Sequence, residues 1–333
     1  MTPSLCRRTA AAALAVASVL TLTAANAAPA RAAGYGHSHP VTSGDFADPG
    51  FAKFGTHYFL YKTGPTFGVR YSIHPAKGYG AAKPSMPKKP AWVAATPKLW
   101  APHVFAASAN GRRIYVMYFT AVKAGWGTHC IGVARSRYAY KEFKAQPKPL
   151  LCAKTKGWET IDPSSYRATD GKRYLLYKLN KANTTGFDIR AVQMDSGTGT
   201  RRTAVKSRSK IKPGSRIEAP SAISHGGKVW LFTSRGNWAD CTYSTDVWVA
   251  PTLWNGHFTR VRTIMDRPST GLCGPGGATV LQDGSTTRIA FHAWIDRDPK
   301  DGVKDTPKAH PHGVRRAWVG VLKWNSAGNP YLY

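Results

Sequence analysis

Acidic residues are scarce in this chain: 17 Asp and Glu face 47 Lys and Arg in 333 residues, a formal charge of +30. Helical signatures are missing as well, since no stretch joins a sustained 3.6-residue apolar period to capping residues. Apart from one alanine-rich run near the start, no segment approaches the ~20 apolar residues of a spanning helix, so no membrane span is expected. Cysteine is sparse, at 5 residues, and no C-x-x-C spacing argues for a metal site. The positive charge comes without any recognised nucleic-acid motif, which argues against a nucleic-acid partner. Lys and Arg are scattered, with small clusters at Lys88-Lys89 and Arg201-Arg202. That pattern reads as a solvated basic surface, one that would also favour an anionic polymer such as a wall polymer or acidic glycan.

The alanine-rich run belongs to a secretory signal. Arg7 and Arg8 precede an apolar stretch from Ala10 to about Leu22, and Ala25-Asn26-Ala27 and Ala30-Arg31-Ala32 both fit an A-x-A cleavage site. Residues 1–33 are therefore expected to be removed and the protein secreted, leaving 34–333 as one domain. Taking Arg7, Arg8 and Arg31 from the 47 leaves 44 basic against 17 acidic residues, about +27. Cys6 leaves with the signal, and the remaining Cys130, Cys152, Cys241 and Cys273 permit three pairings. The repeat described next favours Cys130 with Cys152 and Cys241 with Cys273.

What the chain has in quantity is Trp, Tyr, Phe and Gly (11, 15, 12 and 32 residues), suited to many short strands separated by turns. One phrase recurs five times, beginning near Asp48, His103, Asp162, Glu218 and Gly277, at spacings of 55, 59, 56 and 59 residues. Each copy has a Pro-bearing start, a short apolar stretch, a Gly-bearing turn and a dense aromatic or β-branched run. A strand-only period of this size predicts an all-β, five-bladed β-propeller. A β-sandwich would have similar strand density without the fivefold phase. The blades are placed at about Asp45–Ala95, Lys98–Lys154, Thr155–Lys212, Pro213–Arg267 and Thr270 to the end. RYLLYKL, FDIRAVQM and RRTAVK are strands of the third, and AWVGVLKW is expected to pair with the first blade and seal the ring.

Three of the five phrases open on a carboxylate. A radial array carries the same point of each blade to one mouth of the channel, so Asp48, Asp162 and Glu218 are expected to converge there. A lone carboxylate of this kind usually caps a turn; three at matched phase point to acid–base chemistry.

The set ADP (Asp48), WAP (Trp100–Pro102), IDP (Asp162) with DGKRYLLY, EAP (Glu218), HAW (His292) and the closing RRAWVGVLKWNSAGNP resembles glycoside hydrolase family 43. The resemblance spans nearly all of 34–333. It implies a propeller that hydrolyses arabinose- or xylose-containing glycans with inversion and without a required cofactor. Asp48 is then the general base, Glu218 the general acid, and Asp162 the carboxylate that raises and orients Glu218. Arg315 matches a sugar-contacting Arg, with Arg316 as its rival. Trp100, Trp126 and Trp238 are candidates to stack on sugar, Trp238 best placed among them. His292 matches the position where many members hold a channel cation, usually calcium, and a buried hydrogen-bonded histidine is the equal alternative.

Gly277 and His103 depart from the family pattern, at positions that bear on metal binding and substrate choice. DRDPKDG (Asp296, Asp298, Asp301) misses the spacing of a calcium loop, and His310 with His312 lacks a third ligand. A non-catalytic glycan-binding propeller, held on wall polymers by its basic surface, is the alternative function. A retaining relative would need its carboxyls only about 5–5.5 Å apart. The protein is expected to act as a monomer. The loops at Lys83–Lys89 and Asp296–His312 are expected to set the substrate.

Overall fold

The computed structural model describes Met1 and residues 39–96, 98–182, 187–204, 206–211, 216–295 and 313–333. The expected signal beyond Met1 and the Asp296–Asp301 and His310–His312 motifs lie outside the described residues. The rest forms five four-stranded antiparallel sheets, each wound outward in chain order. Blade one is β1 (Gly50–Phe54), β2 (His57–Tyr61), β3 (Gly68–Ser72) and β4 (Lys83–Pro84). Blade two is β5 (Trp100–Ala109), β6 (Arg112–Val122), β7 (His129–Ser136) and β8 (Lys144–Ala145). Blade three is β9 (Trp158–Arg167), β10 (Arg173–Lys181), β11 (Phe187–Met194) and β12 (Arg208–Ser209). Blade four is β13 (Ile217–His225), β14 (Lys228–Arg235), β15 (Ser244–Ala250) and β16 (Thr259–Met265). A single helical turn, α1 (Arg267–Thr270), leads to blade five: β17 (Cys273–Asp283), β18 (Thr286–Ile295), β19 (Val314–Trp324) and β20 (Pro330–Leu332).

Apolar faces meet between neighbouring blades, giving five cores rather than one. Phe67, Met117 and Phe119 fill the first interface, and Tyr118, Ile131, Leu175 and Val192 the second. Leu176, Ile189 and Leu231 lie in the third; Phe232, Val247, Phe291 and Trp318 lie in the fourth. Phe46, Phe51, Leu60, Ala290 and Val319 join blade five back to blade one. The outermost strands of blades one to three are two residues long and rich in Lys, Arg and Pro, which blunts the edges against pairing with other chains.

The first strand of every blade breaks at the same place. Asp48, Ala101, Asp162, Ala219 and Gly277 all have left-handed backbone, with φ of 49, 47, 53, 49 and 61°. Proline follows the first four. In blades two to five the left-handed residue and its successor oppose one residue of the second strand, a β-bulge. A prolyl nitrogen has no N–H for the ladder to lose, so the bulge is where proline is tolerated. The true repeat is thus set by this residue. Asp48 and Asp162 occupy it, Glu218 stands one position ahead and His103 two behind, which corrects the expectation of equal phase for all five phrases.

Two other expectations are modified. RRTAVK is not a strand: Arg202 makes one bridge to Met194, and the outer strand comes later at Arg208–Ser209. Asp195 explains this, since its carboxylate accepts from the N–H groups of Thr198, Gly199 and Arg201 at 2.7, 3.2 and 3.0 Å and curls the segment into a turn. AWVGVLKW pairs inside its own blade with β18 and β20. The ring is sealed by the segment before β1: Val41 N–H donates to Ala317 O at 2.8 Å, Phe46 N–H to Arg315 O at 2.5 Å, and Ala317 N–H to Thr42 Oγ1 at 3.0 Å.

Phe46 is fully buried at this closure. Phe46→Ala is expected to cost about 3–5 kcal/mol, the usual penalty for emptying an aromatic core position, read from the urea midpoint of the purified protein. A loss below about 1 kcal/mol would mean the segment does not close the ring.

Candidate active site

The left-handed residues leave five backbone N–H groups aimed at the propeller axis, and each needs an acceptor. The acceptor comes from the C-terminal part of the preceding blade's second strand or, for Thr63, from just beyond it. Ala101 N–H donates to Thr63 Oγ1 at 2.9 Å, Asp162 N–H to Thr120 Oγ1 at 3.1 Å, and Gly277 N–H to Ser234 Oγ at 2.8 Å. Asp48 N–H donates to His292 Nδ1 at 3.0 Å, joining blade five to blade one. Blade three breaks the pattern because Lys178 fills the corresponding position, opposite Ile161. An ammonium group cannot accept, and Ala219 N–H turns instead to Asp162 Oδ2 at 3.0 Å.

This ring surrounds a cavity of about 470 Å³ lined by Asp48, Asp162 and Glu218 together with Arg315, Trp100 and Trp238, a volume in the usual range for ligand pockets. Asp48 Oδ2 accepts from the Thr63 hydroxyl at 2.7 Å, and its Oδ1 lies 3.9 Å from the Arg315 guanidinium. Glu218 is engaged at both oxygens: Tyr243 OH donates to Oε1 at 2.8 Å and Lys178 Nζ to Oε2 at 2.7 Å. Burial first, and then the Glu218 charge, push the Asp162 carboxyl up to about 7, with Lys178 opposing the rise. Tyr243 itself is held far above the ordinary phenol range by burial and by Glu218, so it remains a donor.

Glycines in blade five let Asp48, His292 and Tyr243 approach its backbone closely. A side chain at Gly277 would meet the His292 ring at 2.6 Å and Asp48 Oδ1 at 3.3 Å, and one at Gly276 would strike Tyr243 at 2.3 Å. The departure at Gly277 thus has a steric reason in this chain.

Arg315, not Arg316, reaches the cavity. Its guanidinium packs against the rings of Trp238 and Trp294, at 5.1 and 5.4 Å. Trp238 is 49% exposed, and its carbonyl accepts from Trp294 Nε1 at 2.9 Å. The Cys241–Cys273 disulfide ties its loop to β17, and Cys130–Cys152 forms within blade two. Both pairings match those favoured from the repeat. Trp100 also lines the cavity and stacks on His129 at 4.1 Å. Trp126 lies away from the cavity, under Lys123 Nζ at 3.7 Å. His103 lines the cavity as a neutral imidazole, lowered to about 4 by burial and Arg173.

His292 is fully buried. Burial and Arg315 hold it well below the ordinary range, so its Nδ1 accepts from Asp48 N–H and its Nε2 has no hydrogen-bond partner. Calcium takes six to eight oxygen ligands, whereas His292 presents one nitrogen. No group of three or more His, Cys, Asp or Glu able to hold a metal occurs among the described residues. His292 acts here as a hydrogen-bond acceptor in the ring.

Lys178, Tyr243, Thr63, Thr120 and Ser234 were not picked out by sequence. Three of them lie near the ends of second strands (YFT, YK and FTS) and Thr63 just beyond one (LYKT); in blades two to four this residue pairs with the one before the left-handed residue, a register that could have found them.

The sequence model of Glycosyl hydrolases family 43 matches residues 37–318. The chain is 25% identical to the beta-D-galactofuranosidase xynD of Aspergillus niger over 312 residues, 87% of this chain and 83% of that one. Among solved structures, a thermostable family-43 glycoside hydrolase superposes with a TM-score of 0.70 at 21% identity, covering 86% of this chain and 92% of that one. The alpha-L-arabinanase of Cellvibrio cellulosa gives 0.64 at 18% identity, covering 87% and 95%. An exo-1,5-alpha-L-arabinanase from a bovine ruminal metagenomic library gives 0.62 at 19%, covering 87% and 97%. No helix of the described residues is long and apolar enough to cross a membrane.

The raised Asp162 has a consequence for stability. Its folded value lies above the ordinary 3.8, so the native state keeps a proton that the unfolded chain has released, and stability falls as pH rises from about 4 to about 7. Asp162→Asn keeps an acceptor for Ala219 N–H and removes the ionisation. The variant is expected to be about 2 kcal/mol more stable than the parent at pH 8 and nearly equal to it below pH 4, measured by urea unfolding across that range. An equal difference at every pH would contradict the assignment.

Proposed function

The chain belongs to glycosyl hydrolases family 43, and from that premise we propose a secreted, inverting glycosidase acting on arabinose- or xylose-containing polysaccharides. The observation that carries this reading is the convergence of three carboxylates, out of 17 in the whole chain, from three blades on one cavity. Asp48 is the general base. Thr63 and Arg315 orient its carboxylate toward a water on one face of the sugar. Glu218 is the general acid and gives a proton to the departing glycosidic oxygen as the anomeric C–O bond breaks. The water's proton passes to Asp48, and solvent then resets both groups. Inversion requires the two carboxyls to be about 6.5–9.5 Å apart, with the water between base and sugar. Asp162 is the third member and couples to Glu218 by charge. Arg315 and the exposed face of Trp238 form the sugar-contacting wall, with Trp100 also lining the cavity. No step draws on a metal or cofactor, and residues 1–33 serve as the export signal.

A second substrate reading is a β-D-galactofuranoside, favoured by the similarity to the Aspergillus niger enzyme over most of both chains. The non-catalytic propeller is disfavoured, because a binding module has no use for three carboxylates gathered on one cavity.

Asp48→Asn and Glu218→Gln are each expected to lower kcat at least 10²–10⁴-fold while glycan binding persists. The check is release of nitrophenol from α-L-arabinofuranoside, β-D-xyloside and β-D-galactofuranoside, beside affinity gels of arabinan and xylan. EDTA is expected to leave the rate unchanged. Full activity in either variant would remove the assignment.

A further inference from the structure

Lys178 is the exception in the ring of acceptors, and the mechanism above leaves it without a task. Thr63, Thr120, Ser234 and His292 each accept an N–H from the next blade. A lysine has three donors and no acceptor, so its presence changes two bonds together. Ala219 N–H goes to the Asp162 carboxylate, and Glu218 Oε2 receives the ammonium at 2.7 Å. Lys178 is only 6% exposed at its side chain, and Nζ lies 4.1 Å from the centre of the Phe187 ring. Packing fixes it in place.

We propose that Lys178 is a positioning residue that selects which oxygen of Glu218 delivers the proton. This rests on the reading of Glu218 as the general acid. With a donor-only group against Oε2, a protonated Glu218 carries its hydrogen on Oε1, the side facing Tyr243. The Tyr243 hydroxyl can accept as well as donate, and Ser234 lies within hydrogen-bonding reach of it, so it can yield Oε1 to the substrate. The step balances: the proton leaves Oε1 for the glycosidic oxygen as the C–O bond breaks, and Glu218 becomes a carboxylate held by both Lys178 and Tyr243. The ammonium thus stabilises the product form of the acid, where negative charge appears as the reaction proceeds.

The charged and titratable groups facing Lys178 are few. Glu218 lies on β13, and Asp162 and Glu159 lie on β9, with Glu159 engaged by His129 at 2.6 Å. Asp48 acts on Asp162 from blade one, and Tyr243 borders Glu218. Lys178 is the cation that opposes proton retention by Asp162, and its ammonium donates to Glu218.

The test is the pH dependence of kcat/KM for Lys178→Met, Lys178→Thr and Lys178→Arg on the glycoside that the parent hydrolyses. The alkaline limb reports loss of the pair's last proton. It is expected to move up by about one pH unit in the Met and Thr variants and to stay in place in the Arg variant, which keeps the charge. Should the Met variant fail to fold, the Thr variant, bearing the hydroxyl that blades one and two carry at this point, gives the same comparison. A limb that does not move, or one that moves equally with Arg, overturns the proposal. Carboxyl ¹³C titrations of parent and Lys178→Thr need no turnover. An upward shift of the Asp162–Glu218 pair there, in a protein inactive on every glycoside, would support the lysine's role and fail the hydrolytic reading alone.

Discussion

One constraint runs through the whole propeller: a left-handed residue near the start of each blade, whose N–H must find an acceptor beside the axis. Left-handed backbone costs a non-glycine residue about 1 kcal/mol, so four such residues, each before proline, persist only because the acceptor that each N–H meets over-determines them. The left-handed turn at each position brings the side chains of Asp48 and Asp162 to the cavity. The acceptors stitch each blade to the next, and the last stitch, from Asp48 N–H to His292, also fixes the proposed base. Fold closure and site geometry are thus one hydrogen-bonded ring.

Charge is distributed sparingly within that ring. In a chain so poor in acids, most other carboxylates have structural partners. Asp246 takes Arg235 and Arg260, and Asp283 takes Lys53 and Arg288. Asp195 shapes a turn. The three cavity carboxylates differ in that their partners are incomplete or opposed: Asp162 is half-buried, its carboxylate accepts from the Ala219 N–H, and it bears the raised value. Glu218 is balanced between a cation and a phenol.

Much of this was legible in the sequence. The fivefold period, the strand-only composition and the ADP and IDP motifs led to the propeller and to Asp48 and Asp162, because a left-handed residue followed by proline leaves a mark that recurs. Glu218 was found for its chemistry although its phase is one residue off. Arg315 was separated from Arg316 only by structure, since adjacent strand residues face opposite sides and the register decides which one reaches the cavity. Lys178 was invisible inside RYLLYKL, where a lysine near a strand end reads as solvated. Tyr243, in a disulfide-bearing loop, gave no periodic signal at all. Trp126 shows the reverse error: an aromatic beside a glycine turn looks available, and a neighbouring lysine covers it.

The central claim is that Asp48 and Glu218 work across a gap wide enough for a water. Following the first seconds of hydrolysis by ¹H NMR, before the released sugar mutarotates, reads that geometry directly through the anomer formed. The account predicts that the sugar appears with the anomeric configuration opposite to that of the substrate. Release with the configuration retained would mean a covalent intermediate and carboxyls about 5–5.5 Å apart, and the roles assigned to Asp48 and Glu218 would be wrong.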